Sequence, residues 1–544
     1  SERVARNGGL SNRVNDSNMK WFALAAACTA LFMAILDNLI LNVAIPTISD
    51  DLNPSTTQLQ WIISAYTLVF ASLQITAGGL GDRLGRKKLF LFGIAVFTVT
   101  SLVAGFVNST SMLIVARAVM GFGAAFIMPL SLSLVSAAFP PEERGKALGI
   151  WSAVSFSGLA FGPMVGGLVV EYLSWHWIFL INVPVGLFAF VLTMSVVRES
   201  KDESGTAATD IPGTVLVTGA IAALTWGLIE AGERGWGETL ILMSFAVSAV
   251  LFVAFVLVEL RTEKPMVPMG FFKSRTFTGA NLDAFVVSFF ISGLAFSMTM
   301  YFQNVHGYSP IRAGFTNLPF VLVMMVAAPL SGSLVNRLGS RLLISIGMVI
   351  AGISCFLYLR AEPESSFVSI LPAMLVMGLG MGLVFAPLTT AVLNSVSSDK
   401  GGVASAVNGA IRETGFAFGV ALLGTFISRT YRTDFVNDES IQGISASSEE
   451  SRSLIDMISE QITAAGRLIQ DQARFPGLPQ DVRNSIEIAS SNGFVNGMHL
   501  SFIITGTTLI VSAIVSYFLI NERVASAHVD ETVRSESERY ASAD

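Results

Sequence analysis

The chain has 544 residues, of which 52% are hydrophobic and only 13% are Asp, Glu, Lys or Arg, with a net charge of −6. That is about half the charge of a soluble globular protein, and the apolar residues fall into blocks of about 20, the length that spans a bilayer as helix. These figures exclude an ordinary soluble enzyme and leave no basic field for nucleic acid.

Cys28 and Cys355 each lie inside an apolar block, and His176, His306, His499 and His528 are scattered. A disulfide framework, a metal site and a cofactor are therefore not expected. Residues 1–20 are polar, with Arg3, Arg6, Arg13 and Lys20, and read as a cytoplasmic N-terminal tail. The apolar run after them is too long for a signal-peptide core and is expected to remain as a spanning helix.

Apolar blocks between charge clusters predict fourteen helices, at about 21–45, 58–80, 88–107, 111–135, 146–170, 176–197, 211–231, 238–260, 277–303, 314–335, 342–360, 367–394, 403–428 and 496–520. Lipid offers the backbone no partners, so helix is the element expected, and the alternation of a barrel strand is absent. If the N-terminus is cytoplasmic, the six short inner loops carry fifteen Lys and Arg, whereas the six short outer loops carry only Arg234 and Arg312. This asymmetry orients the chain with both termini, including the tail 521–544, in the cytoplasm. Trp21, Trp61, Trp175, Trp177 and Trp236 fall near span ends, where interfacial anchors are expected.

The segment GGLGDRLGRKKL from Gly78 returns as GSLVNRLGSRLL from Gly332, and SGLAFG ending at Gly162 returns as TGFAFG ending at Gly419. Two matches at nearly one offset indicate duplication. The expected fold is therefore an all-α integral membrane protein with two parallel-repeat six-helix bundles, 21–197 and 277–520, and two inserted helices at 211–260. Such halves rock about a shared midplane site. A second insertion, 430–492, is extracellular; Leu454, Ile458, Ile462, Ala465 and Ile469 recur there at helical spacing and read as an amphipathic surface cap, with a substrate gate as the alternative.

Four motifs carry the chemistry. Helix 1 holds L-D-N-L-I-L-N-V-A-I-P from Leu36 to Pro46, including Asp37 and Asn42. A carboxylate at that depth costs about 2.5–3.5 kcal/mol unless protonated, paired or hydrated, which makes Asp37 a proton carrier candidate. In the loop Gly78–Phe90, Gly78, Gly81 and Gly85 permit a tight reversal, and Asp82 can pair with Arg83, Arg86 or a neighbouring helix N-terminus. Helix 4 places Arg117 ahead of Gly121 and Gly123, and its permanent charge can serve Asp37. Helix 5 carries Gly158, Gly162, Pro163, Gly166 and Gly167, small residues for close helix contact and a proline for a bend.

These motifs resemble those of the major facilitator superfamily: the Gly78–Phe90 loop resembles its signature loop, the helix 5 pattern its antiporter signature, and the helix 1 element that of its fourteen-helix drug exporters. Leu39 stands where that last pattern has Thr, and Met120 where the helix 4 pattern has Gln. Trp175–Gly186, Gly307–Pro319 and Gly402–Gly415 are similar to the same exporters, the first read as interfacial anchoring. The resemblance implies gating roles for Asp82, Arg83, Arg86 and the helix 5 residues. Further carboxylates inside spans are Glu230, Glu259, Asp283 and Glu413. Asp283, with no nearby cation in sequence, is the second proton and substrate candidate. Glu259 beside Arg261 reads as a snorkelling interface pair. Arg412 and Glu413 are substrate-site candidates, as is Asn42. Glu230 resembles an acidic drug-binding position in some relatives, but Arg234 equally allows a surface ion pair. Phe285, Phe289, Phe290, Phe296, Met298, Met300, Met324 and Met325 offer adaptable surfaces to lipophilic ligands.

With no phosphate-binding loop and no activated nucleophile, the chain is expected to be no enzyme and to draw on the proton gradient. It reads as a proton-coupled antiporter exporting lipophilic, cationic drugs from a bacterial cell, and as a monomer whose partners are small substrates, protons and the bilayer. The alternatives are a dedicated exporter of a metabolite, lipid or siderophore, and a non-transporting membrane receptor.

Overall fold

A computed structural model describes residues 2–54, 56–201, 210–445, 449–460, 469 and 479–521. In chain order the helices are α1 (Glu2–Leu52), α2 (Thr56–Leu84), α3 (Arg86–Ala104), α4 (Thr110–Ala138), α5 (Pro141–Tyr172), α6 (Trp177–Leu180), α7 (Asn182–Val196), α8 (Ile211–Arg234), α9 (Thr239–Arg261), α10 (Arg275–Met300), α11 (Pro310–Thr316), α12 (Leu318–Leu338), α13 (Ser340–Leu357), α14 (Phe367–Asn394), α15 (Gly401–Asn437), α16 (Glu439–Ser445), α17 (Glu449–Glu460) and α18 (Gln480–Leu519). Thirteen helical spans are long and apolar enough to cross a membrane among the described residues. The 32-residue α5 packs along α1 and α12 and completes the fourteen.

Local chemistry sets the element ends. Asp210 accepts from the Gly213 N–H at 2.8 Å and caps α8, while Ser274 and Ser309 cap α10 and α11 in the same way. In both copies of the repeated motif the final glycine makes the turn into the next helix: Gly85 has φ 116° and Gly339 φ 78°, a region that other residues rarely adopt. The repeat is thus visible as identical turn chemistry in two places.

α1, α3, α4, α5 and α7 pack on one another in the first half, with α2 against α4; α10, α12, α13, α14, α15 and α18 do so in the second. The halves meet through α2 with α15 and α5 with α12, and the inserted pair α8–α9 leans on α2 and α15.

α15 and α18, the last two of the fourteen expected spans, run beyond their apolar stretches, to Asn437 and from Gln480, rather than ending near 428 and starting near 496. Hydropathy falls there, but a packing face continues: Ile427, Tyr431, Phe435, Ile486 and Phe494 stay buried, and the Tyr431 hydroxyl meets Ser490 Oγ at 3.0 Å. In the insertion 430–492, α17 buries Leu454, Ile455 and Ile458; Ile462 and Ala465 lie outside the described residues. Asp438 caps α16, accepting from the backbone N–H of Ser440 at 2.9 Å, and bonds to Ser440 and Ile441 hold its carboxyl below the usual value.

Two expected interface groups are in fact interior. Trp175 is 2% exposed and donates to Asp51 Oδ2 at 2.9 Å, so the hydrogen-bond capacity of its indole is satisfied by the protein instead of a headgroup. Glu259 is buried beside Asp210 at the base of α8, where Arg261 does not draw it to the surface.

Candidate functional site

Five helices converge on Asp37. Arg117 Nη1 of α4 donates to Asp37 Oδ2 at 2.5 Å, and Asn182 Nδ2 of α7 donates to Asp37 Oδ1 at 2.7 Å. Neither Asp37 nor Arg117 has exposed side-chain surface. Arg117 also donates through Nε to the Ile62 carbonyl at 3.3 Å and through Nη2 to Asn38 Oδ1 at 3.3 Å, and its guanidinium lies 4.5 Å from the centroid of the Tyr66 ring. Ser101 of α3 holds Asn182 at 3.0 Å while donating to the Phe179 carbonyl at 2.8 Å. Both carboxylate oxygens are therefore satisfied, which is what makes a buried charge tolerable. The sequence motif places Asp37 and Arg117 on different helices; the fold joins them.

A second cluster ties the halves together at one end of the bundle, called here the latch face. Asp82, near the end of α2, accepts from the Gly402 N–H at 2.9 Å and the Val403 N–H at 2.8 Å, the free donors at the start of α15. Arg86 Nε donates to Asp82 Oδ1 at 2.7 Å, and Arg86 Nη2 donates to the carbonyls of Ser398 and Asp399. A carboxylate at a helix N-terminus is favoured by the helix dipole as well as by the bonds. The duplicate motif repeats the device in weaker form: Asn336, at the position of Asp82, donates to the Glu142 carbonyl at 2.7 Å at the start of α5. Backbones touch in both places. A Cβ on Gly78 would sit 2.5 Å from the Gly402 carbonyl oxygen, and one on Gly332 would sit 1.9 Å from that of Gly145. Arg83 makes none of these latch bonds and lines an adjoining cleft of about 390 Å³ with Asp82, Val403, Met266 and Lys400.

Toward the opposite face lies an open chamber of about 550 Å³ lined by α1, α10, α11, α12 and α15, a volume suited to a drug-sized ligand. Leu39, Phe296, Met298, Met300, Phe320 and Phe416 line it with Gln303 and Asn317. No carboxylate, guanidinium or ammonium is among its described lining residues. Leu39, in place of a hydroxyl, gives this wall a hydrocarbon surface and packs against α5, where a Cβ on Gly162 would come within 2.7 Å of its own Cβ. Gly158, Gly162 and Gly166 all face α1, whereas Gly167 meets Ile311 of α11. The duplicate stripe does the same for the other half, Gly415 and Gly419 lying against the carbonyls of Phe285 and Phe289 in α10.

Residues 27–420 match the Major Facilitator Superfamily. The chain belongs to that superfamily. It is a multi-pass transporter of the cell membrane and not an enzyme. It is 32% identical to the tetracenomycin C resistance and export protein of Streptomyces glaucescens, over 92% of this chain and 91% of the relative. The puromycin resistance protein of Streptomyces alboniger is 35% identical over 75% of this chain and 81% of its own. A solved proton:xylose symporter of the superfamily shares the fold, with a TM-score of 0.59 at 15% identity over 93% of this chain and 97% of that one.

Within this superfamily fold the remaining candidates scatter. Asp283 of α10 points toward the peripheral helices, accepting from Ser516 Oγ of α18 at 2.5 Å with Met348 of α13 nearby; it shares no cluster with Asp37. Glu230 is ion-paired to Arg234 Nε at 2.5 Å and does not line the chamber. Arg412 lies against the Phe156 and Phe385 rings and is not among the lining residues of the chamber, and Glu413, half-buried, is close enough to Tyr66 for their charges to interact. Of the apolar candidates, Phe296, Met298 and Met300 reach the chamber; Phe285, Phe289, Phe290, Met324 and Met325 are not among its lining residues. The side chains of Asn42 and Pro163 lie outside the described residues, their backbones being helical.

Asn182, Ser101 and Tyr66 were not anticipated as site residues. Asn182 did carry a signal, a lone amide in an apolar run at membrane depth, hidden among flanking tryptophans that read as an interface. Gln74 of α2, fully buried against Gly409 of α15 with both amide atoms unpartnered, carried the same signal.

Proposed function

We propose that the chain is a proton-coupled antiporter that exports lipophilic antibiotics and other toxic compounds from a bacterial cell by alternating access. The observation that supports this most is the fully enclosed Asp37–Arg117 pair on α1, the helix that also presents Leu39 to the chamber. A proton on Asp37 removes the charge that Arg117 neutralises and to which Asn182 donates, so the contacts holding α1 to α4 and α7 lose their advantage. Two helices carry that change away from the site. α1 bears Leu39 against the glycines of α5 and the chamber; α2 bears Ile62 and Tyr66 on Arg117 at one end and the latch carboxylate Asp82 at the other.

The Lys and Arg asymmetry puts the latch face and both termini in the cytoplasm. The closed latch then corresponds to a protein sealed inward, with the chamber on the releasing side. The moving units are the bundles 21–197 and 277–520, with 211–260 as a hairpin beside them. The chamber is lined by one chain, so a monomer suffices. Protonation from outside favours cargo release and latch opening; cargo binding from the cytoplasm or inner leaflet accompanies proton loss. Each proton moving down the potential supplies about 2.3 kcal/mol per 100 mV, enough for about tenfold or greater enrichment of a neutral solute. The relatives named for resistance to tetracenomycin C and puromycin support an antibiotic cargo. The cationic preference suggested by Glu230 and Asp283 has less support, since neither lines the chamber.

The reading is tested by reconstituting the protein with an internal pH dye and adding ethidium, puromycin and tetracenomycin C in turn. Cargo-driven proton movement is expected in the unmodified protein and absent in Asp37→Asn. Movement that persists in the variant would transfer coupling to another carboxylate, Asp283 first. Glu230→Gln, by contrast, is expected to cost about 1–2 kcal/mol of stability, because the Glu230 side chain is buried while Arg234 stays exposed to water, and to leave export unchanged. Loss of export of ethidium alone in that variant would restore Glu230 to the cargo site.

A further inference from the structure

Arg412 is 5% exposed, yet among the described residues it has no carboxylate within ion-pair distance and its Nε has no acceptor. Its guanidinium lies to one side of two aromatic rings instead, 5.5 Å from the Phe156 centroid and 5.1 Å from that of Phe385. Those two rings, from α5 and α14 on opposite halves, meet at 4.2 Å. π faces attract a cation but accept none of its five N–H donors in full. An arginine does not escape by losing its proton, so a buried guanidinium with unspent donors is a standing cost unless something supplies acceptors. Glu413, the next residue, is turned about 100° around the helix; its charge attracts the guanidinium, but no hydrogen bond joins the two.

Two further observations point to what supplies them. Phe416 and Val420 of α15 line the chamber, and Arg412 is one turn below Phe416 on the same helix face. Gln74, wholly buried with its amide nitrogen and oxygen unpartnered, packs on Gly409, three positions before Arg412. A guanidinium with an unpartnered Nε and an unpartnered amide thus lie behind an apolar and aromatic wall whose described residues include no carboxylate, neither group being itself among the lining residues.

We propose that Arg412, assisted by Gln74, is the anion-recognising subsite of the chamber, so that the preferred cargo is a flat apolar compound carrying an acidic or strongly accepting oxygen rather than a lipophilic cation. This rests on the chamber being the cargo site of an exporter. The aromatic wall takes the body of the cargo, and its acidic oxygen reaches the guanidinium once the Phe416 ring moves aside. Entry of that oxygen removes the cost of the unspent donors, so binding energy is concentrated at the seam where the halves meet.

Two dyes with one three-ring body and opposite charge test this: fluorescein, an anion, and rhodamine 123, a cation. Their binding to the full-length protein in lipid nanodiscs is read by fluorescence anisotropy. Unmodified protein is expected to bind fluorescein more tightly. Arg412→Gln is expected to weaken fluorescein about tenfold or more without weakening rhodamine 123, and Arg412→Lys, which keeps the charge but not the planar fork, to recover part of the loss. Unmodified protein that prefers rhodamine 123, or does not bind fluorescein, overturns the proposal. So does an Arg412→Gln variant that loses both dyes equally, which would mark Arg412 as packing. If that variant fails to fold, the preference of the unmodified protein and the Lys variant decide alone. Export of the same dyes from proteoliposomes is measured separately: fluorescein bound through Arg412 but never moved would sink the exporter reading and leave the subsite standing.

Discussion

Arg117→Met is expected to destabilise the protein by about 3–5 kcal/mol, and the double variant Asp37→Asn, Arg117→Met to be more stable than Arg117→Met alone. The carboxylate of Asp37 has its two oxygens assigned, one to Arg117 at 2.5 Å and one to Asn182 at 2.7 Å, with no exposed surface for water to replace either. Deleting the guanidinium strands a charge in a dry site and also releases the Tyr66 ring and the carbonyl of Ile62. Deleting both charges strands nothing, and Met restores most of the volume. A double-mutant cycle followed by chemical unfolding in micelles measures the coupling. If the two losses simply add, the pair is not an energetic unit, and the role given to protonation of Asp37 in loosening α1 from α4 falls with it.

How far this site could be read from residues alone depended on whether direction around a helix was encoded locally. The Asp37–Arg117 pairing was legible because two opposite charges at membrane depth have few ways to be tolerated. Asp82 at a helix N-terminus was legible because its glycines announce close approach and its helix ends there. The even spacing of Gly158, Gly162 and Gly166 likewise determines a single face. Asp283 and Glu230 have similar depth in sequence, but depth says nothing of azimuth, and the fold turned one to α18 and the other to Arg234. The surroundings of Arg412 are formed by Phe156 and Phe385, rings from helices remote in the chain, for which no local pattern exists. The extensions of α15 and α18 are not legible for a different reason: hydropathy falls near 428 and 496, whereas helix continues as long as a packing face does.

Gly332→Val is expected to hold the latch face open. A Cβ at position 332 would lie 1.9 Å from the Gly145 carbonyl oxygen and 2.6 Å from its carbon, all backbone, so no rotamer change relieves it. Overpacking of this kind costs about 1–3 kcal/mol or more, which lowers the population of the closed state roughly 5- to 150-fold. The halves can meet the cost by parting at α5 and α12, and the bond from Asn336 to the Glu142 carbonyl is lost as they do. Cysteines introduced for Glu142 and Arg337, both exposed on the latch face, accept spin labels, while the native Cys28 and Cys355 are buried and do not compete. The interlabel distance is expected to lengthen in Gly332→Val, and less so in Gly332→Ala, with cargo-driven proton movement falling in the same order. An unchanged distance together with full transport would mean that the touching backbones are helix packing alone, and that the Asp82 side of the interface closes the protein without them.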